Sequence, residues 1–277
     1  MQHFGAQSLV TTSSESHVRG LHRLTAAAVV LACVLVVAFV LWVRQNDIWP
    51  LPMSVVNSSI AVDGEDREFR LVIPDSVQNR SLIPVVFALH GAFGTTSEMA
   101  EYTDLNRLAV QEGFLLVYLQ GRKLGWPPYI SPENPHVMDP DIRFFETLCD
   151  WMVRQYQADP RRIYVVGISQ GGAMANVLTV QCSQRIAATV SCCGWLPEPL
   201  GDEPLHTRHK CPILFIAGSQ DVQVSPATVQ AVSEAFTRAG HPVEFWLIEG
   251  MGHDWPPNPD GNDRIWEFLS AHRLPAR

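Results

Sequence analysis

The sequence has no run of lysines and arginines, no C-x-x-C pair, no Cys/His spacing of a zinc site and no internal repeat. Each absence excludes something. Twenty lysines and arginines stand against twenty-eight acids, a net charge of −8. No positive stripe can then track a phosphate backbone, and nucleic acid is not expected as a partner. Without ligand spacings no metal is expected, and without a repeat a solenoid or propeller has no basis. Six cysteines are present. Setting Cys33 aside leaves the odd set Cys149, Cys182, Cys192, Cys193 and Cys211. Outside the cytoplasm one or two disulfides are permitted, and Cys192 and Cys193 read simply as small buried residues near a strand end.

What is present in excess is one apolar stretch. Residues 24–43 contain only Thr25 as a clearly polar side chain, and twenty helical residues span about 30 Å, enough to cross a bilayer. A secretory signal has a shorter apolar stretch and a small-residue cleavage site. The lipoprotein-like run Val30-Leu31-Ala32-Cys33 is followed by ten more residues of the same apolar stretch. The expectation is one retained transmembrane helix at 24–43 after a tail at 1–23, with the lipid bilayer as partner. Arg19 and Arg23 before it and Arg44 after it bias the N-terminus weakly toward the cytoplasm, which places the following domain outside it. Residues 44–59 read as a juxtamembrane linker and 60–277 as the folded domain.

From residue 60 onward strand-like and helix-like segments alternate. Apolar or β-rich runs at 68–73, 84–89, 114–119, 162–166, 187–192, 212–217 and 243–248 read as strands. Helical spacing is seen at 98–111, in the segment opened by Asp139 as N-cap and Pro140 at the first position, and at 170–182, 226–239 and 262–271. Such alternation predicts an α/β domain with a mainly parallel sheet covered on both faces by helices.

The chemistry gathers at strand ends. Val165 and Val166 run into Gly167-Ile168-Ser169-Gln170-Gly171, the form of a nucleophile elbow, in which a sharp strand-to-helix turn lifts the serine out of the sheet. Two other strands run into Gly218-Ser219-Gln220-Asp221 and into Glu249-Gly250-Met251-Gly252-His253. The chain order Ser169, Asp221, His253 is that of α/β-hydrolases. A serine hydroxyl is a weak nucleophile at neutral pH, so His253 takes its proton in attack and Asp221 fixes the imidazole tautomer. Asp254 is the rival carboxylate, but it adjoins the base directly. Acyl transfer also needs donors for the oxyanion. The N–H of Gln170 is one, and the second is assigned to Ala92, with Phe93 as alternative, in the loop His90-Gly91-Ala92-Phe93-Gly94. His90 itself reads as structural. A base of this kind makes kcat/KM fall as pH drops through roughly 6 to 7.

His90-Gly91, Tyr118 with Gly121, the run from Gly167 to Ala175, and Gly252-His253-Asp254-Trp255-Pro256 together resemble the esterase family of polyhydroxybutyrate depolymerases and feruloyl esterases. The likeness covers about residues 60–268. It implies the α/β-hydrolase fold, a triad of Ser169, Asp221 and His253, and ester hydrolysis through an acyl-serine without metal or organic cofactor. Two departures bear on substrate: no polymer-binding domain follows, and a membrane span stands where a cleavable signal is usual. Trp126, in the Pro-rich stretch 123–137, and Trp255 are candidates for an aromatic substrate wall. The connection 194–210 is too short for a large lid. The main reading is a membrane-tethered carboxylesterase acting on a small or oligomeric ester. Its alternatives are a hydrolase-fold protein that only binds, or a peptidase or thioesterase using the same triad.

Overall fold

The computed structural model describes residues 31–38, 50–127, 136–197, 205, 207 and 209–276. The chain divides into two compact units, Met1–Pro50 and Leu51–Arg277. In the first, residues 31–38 are helical and their leucine and valine side chains are exposed. The rest of the 24–43 stretch lies outside the described residues, among which no helix is long and apolar enough to cross a membrane.

The second unit is built on eight strands: β1 (Met53–Val62), β2 (Glu65–Pro74), β3 (Ile83–Leu89), β4 (Leu115–Leu119), β5 (Ala158–Ile168), β6 (Ala188–Cys192), β7 (Ile213–Gly218) and β8 (Val243–Ile248). They form one sheet in the order β1-β2-β4-β3-β5-β6-β7-β8. The pairs from β4 through β8 are parallel, and β1 and β2 enter antiparallel at one edge. Every residue of β3, β4, β6 and β7 is buried, as near-continuous apolar runs require when both faces of a strand are covered. The outer strands β1 and β8 are largely exposed or half-buried. Residues 53–59, read from sequence as the end of a linker, belong to strand β1. Its polar run Asn57-Ser58-Ser59 hid the pattern, because an edge strand has few side chains to bury.

Alternation along each strand sorts side chains to opposite faces. Val85, Phe87 and Leu89 of β3 and Val165 of β5 meet Phe144, Phe145, Leu148, Met174 and Leu178 in one core. Val86, Ala88, Tyr164 and Val166 meet Met99, Leu105, Leu108, Ile265 and Phe268 in the other. The helices supplying these residues are α1 (Thr96–Thr103), α2 (Leu105–Glu112), α3 (Asp139–Tyr156), α4 (Gln170–Gln181) and α6 (Asp260–Ser270), while α5 (Pro226–Arg238) packs Val229 and Phe236 on Phe215 of β7. The expected single helix over 98–111 is two, broken at Asp104, whose φ of 51° is left-handed. The start of α3 also differs. Met138 is its N-cap, without a side-chain capping bond, and Asp139 is already helical. Asp141, in the first turn, has its carboxylate accept from Arg67 at 2.6 Å in a buried pair.

Candidate active site

Ser169 is the corner between β5 and α4, at φ 56° and ψ −121°. A side chain held there costs on the order of 1–3 kcal/mol, so the surroundings must enforce the turn. They do so by close approach. A Cβ on Gly167 would lie 2.2 Å from Gly171 O, and one on Gly171 would lie 2.2 Å from Leu89 O. Both glycines are therefore required by backbone against backbone. Ser169 N donates to Cys192 O at 2.8 Å, and Ala173 N to Ser169 O at 2.9 Å, closing the first turn of α4. The turn sets Ser169 at the positive end of a twelve-residue helix.

Asp221 follows β7 and His253 follows β8. The His253 Nδ1–H donates to Asp221 Oδ2 at 2.7 Å, and since a carboxylate only accepts, Nδ1 carries the proton and Nε2 is left free to accept one. Asp221 Oδ1 takes the N–H groups of Gln223 at 2.8 Å and Val224 at 2.9 Å. Burial works to raise the Asp221 pKa, but the Val224 and Gln223 amides and His253 hold it below the usual carboxylate value. Its side chain is 0% exposed and that of His253 12%. The carboxylate is thus a fixed anion whose partner opens to solvent.

Asp254 is committed elsewhere. Its Oδ1 accepts the Tyr102 hydroxyl and Trp255 N, the latter at 2.8 Å. Burial, then Asp254, raises the Tyr102 pKa above its ordinary value. This carboxylate pins the loop carrying His253 to α1.

The 90–94 loop is braced from beneath. His90 Nε2 accepts from Gly121 N and faces Gln120 Nε2, both at 3.0 Å, so Nδ1–H donates to Gly91 O at 2.7 Å. Both ring nitrogens are used, and burial lowers the His90 pKa. The loop lies against the elbow: a Cβ on Gly91 would be 3.5 Å from Ser169 Cβ. Ala92 is exposed, and Phe93, at φ 61°, is 85% exposed. The side chain of Gln170 turns away to accept Trp126 N at 2.9 Å.

The two tryptophans proposed for a substrate wall are almost fully buried. Trp126 is 3% exposed and Trp255 4%. Their indole N–H groups donate to His90 O and Asn262 Oδ1, each at 2.9 Å. Each buried indole N–H thereby has the acceptor it needs, a loop carbonyl for Trp126 and the Asn262 side chain of α6 for Trp255. Of the Pro-rich stretch, residues 128–135 lie outside the described residues, as do most of 198–208.

One residue at this edge was missed. Cys193 follows β6 directly, at φ 49°, and is fully buried. Its sulfur, an imidazole nitrogen of His253 and a carboxylate oxygen of Asp221 lie within 4.8 Å of one another. The hydrogen bond from Cys192 chiefly, with that to His253 and against burial, lowers the Cys193 pKa to about 6. Conversely, the Cys193 contact first, then Asp221, raise His253 to about 9 against burial. The strand-end rule that picked Ser169, Asp221 and His253 would have found it, since it stands just beyond β6. Thiol, imidazole and carboxylate are also a metal-type donor set, but both Asp221 oxygens already accept N–H groups. The described cysteines are all unpaired, so no disulfide is present among the described residues.

A serine in a strained turn and an imidazole fixed by a buried carboxylate, on the ends of parallel strands of one sheet, are equipment for acyl transfer. The profile of the Phospholipase/Carboxylesterase family matches residues 133–272, half of the chain, a stretch that holds Ser169, Asp221 and His253. The chain belongs to the phospholipase/carboxylesterase family. This family member is 29% identical over 206 residues to NocK of Nocardia uniformis subsp. tsuyamanensis, a protein named as an esterase, covering 65% of this chain and 59% of NocK. It is 23% identical over 246 residues to the bifunctional acetylxylan esterase/xylanase XynS20E of Neocallimastix patriciarum, covering 78% of this chain and 35% of that protein. The chain thus spans 35 to 59% of the length of these curated relatives. The ferulic acid esterase AmCE1/Fae1A of Anaeromyces mucronatus, solved with ferulic acid, superposes at a TM-score of 0.63 with 18% identity, over 79% of this chain and 90% of that one. The α/β-hydrolase fold that the sequence implied, a mainly parallel sheet covered by helices, is the one observed.

Proposed function

We propose that the protein is a serine carboxylesterase working through an acyl-serine, with Ser169 as nucleophile, His253 as general base and Asp221 as its orienting anion. The observation that carries the reading is the bond between His253 Nδ1 and buried Asp221, aligned along the sheet edge with an elbow serine at φ 56°. Gln170 N and Ala92 N serve as oxyanion donors. Gln170 N opens α4 immediately after Ser169, and the 90–94 loop touches the elbow through Gly91. The substrate is a carboxylic ester of a small or aromatic acyl group, a reading supported by relatives named for acetylxylan and feruloyl esters. A panel of acetyl, feruloyl, aryl, short-chain and polyhydroxyalkanoate esters tests it, with turnover expected on the first three. No turnover on any of them, with amides or thioesters cleaved instead, would replace the ester reading.

We also propose that 24–43 is retained as a single membrane anchor with the catalytic unit outside the cytoplasm, on the strength of its length and apolar character. Protease added to intact cells should release a fragment beginning near Arg44 and leave a small membrane stub. A domain protected until the cells are opened contradicts the orientation, and a domain already free in the medium contradicts retention.

A further inference from the structure

Four adjacent parallel strands, β5 to β8, each deliver one reactive side chain to the same edge: Ser169, Cys193, Asp221 and His253. Three of these have roles in acyl transfer, and the fourth has none. Yet Cys193 is not placed as core filler. Its backbone takes a left-handed conformation, φ 49°, which a non-glycine residue adopts only where the surroundings hold it. Its neighbour Cys192, whose thiol pKa burial raises well above the usual value, stays protonated. Cys192 sends its S–H toward Asp254 O at 3.3 Å and lies 3.9 Å from Cys193 Sγ, which is itself 3.8 Å from Asp254 O. The sulfur of Cys193 thus sits against the Cys192 thiol on one side and meets the His253–Asp221 pair on the other, inside a 4.8 Å cluster.

We propose that Cys193 is a positioning residue for His253, its sulfur acting beside Asp221 as a second polar partner that orients the imidazole. The Cys193 sulfur lies within 4.8 Å of an imidazole nitrogen of His253, and each group favours the charged form of the other, while burial and Asp221 oppose the thiolate. The other titratable groups bearing on the pair are Cys192 on β6, Asp221 after β7, and Asp254 with its partner Tyr102 on α1. Of these, Cys192 packs its sulfur 3.9 Å away, Asp221 shares His253 with Cys193 and opposes ionisation of its thiol, and the Asp254 carboxylate is occupied by Tyr102 and Trp255 N. A second partner next to the base means that loss of Asp221 does not leave the imidazole unanchored. It also means that the imidazole holds its proton more tightly than Asp221 alone would require.

The proposal rests on the serine-hydrolase reading for its kinetic arm only. In the first arm, the His253 imidazole of the full chain is titrated by NMR in wild type, Cys193→Ser and Cys193→Ala. The midpoint should fall by about one pH unit or more in both variants, whether or not any ester is turned over. In the second arm, kcat/KM is measured for Asp221→Asn on the wild-type and Cys193→Ser backgrounds. The loss should be at least about tenfold larger on the Cys193→Ser background, because two partners of one imidazole are not additive. Adding Cys193→Asp to Asp221→Asn should regain at least about tenfold over Asp221→Asn with Cys193→Ser, a rescue that packing alone would not produce. Cys193→Ala serves if the serine variant does not fold. An unchanged midpoint, or equal losses on the two backgrounds, overturns the proposal. Absence of esterase activity from the wild type would sink the functional reading and leave the titration to decide the contact.

Discussion

His253 Nδ1 and Asp221 Oδ2 stand 2.7 Å apart although thirty-two residues separate them. The neighbouring carboxylate of Asp254 is bound instead by Tyr102 and Trp255 N. Adjacent side chains on an extended loop point apart, so the near residue in sequence is the wrong partner in space.

Exchanging each carboxylate for its amide separates these roles. Asp221→Asn should lower kcat/KM about 100-fold or more with the fold intact, since an amide presents a donor where Nδ1–H needs an acceptor. Asp254→Asn should cost roughly 0.5–1.5 kcal/mol of stability and leave most of the activity. Steady-state kinetics with thermal melts check both, and the reverse pattern would move the orienting role to Asp254.

The base must be neutral to accept the Ser169 proton, so kcat/KM should climb as pH rises through the His253 pKa. Cys193 first, and then Asp221, hold that pKa above the ordinary histidine value, at about 9, against the pull of burial. The rise should therefore be centred above neutral pH, not at roughly 6 to 7 where an isolated histidine would put it. A raised pKa also stabilises the protonated fold. This stability is complete below about pH 6.5 and is lost as pH rises through the folded value. A pH–rate profile and melts between about pH 6 and 10 read the two effects, and a kinetic midpoint at or below that of free histidine contradicts them.

Gly171 has no room for a methyl group, because a Cβ would sit 2.2 Å from Leu89 O and 2.5 Å from His90 O. Gly171→Ala must push the elbow away from β3 and the 90–94 loop. The expected outcome is a stability loss of about 2–4 kcal/mol and a rate loss of about 100-fold or more from misplacement of the hydroxyl. Melts and kinetics on the purified variant decide it, and an unaltered elbow would mean that the turn is looser than these contacts require.

Trp255 spends its indole N–H on Asn262 at 2.9 Å and is 4% exposed. Trp255→Phe should cost roughly 1–2 kcal/mol of stability, while KM for an aryl ester stays within about twofold. A large KM rise at unchanged stability would restore this residue to the substrate wall.

Much of the fold was legible because its signals are local. The strands β3 to β8 are apolar runs that need no partner to be recognised, and Gly167-x-Ser169-x-Gly171 with Asp221 and His253 at later strand ends fixes an order that few arrangements satisfy. What escaped depends on neighbours distant in sequence. The break at Asp104 lies within an unbroken helical spacing. The polar edge strand β1 resembles a linker, because its pairing with β2 is made by backbone. Trp126 and Trp255 carry no sequence mark that distinguishes a brace from a wall. Cys193 stands at a strand end as the other three do, but its nearness to His253 is made only by the sheet that sets β6, β7 and β8 side by side.

The most direct test of the account is the identity of the acylated atom. A fluorophosphonate probe reacted with the purified protein, digested and sequenced by mass spectrometry, should label Ser169 alone. Ser169→Ala should neither label nor turn over an acetyl or feruloyl ester. Labelling at another residue, or esterase activity that survives Ser169→Ala, would contradict the account.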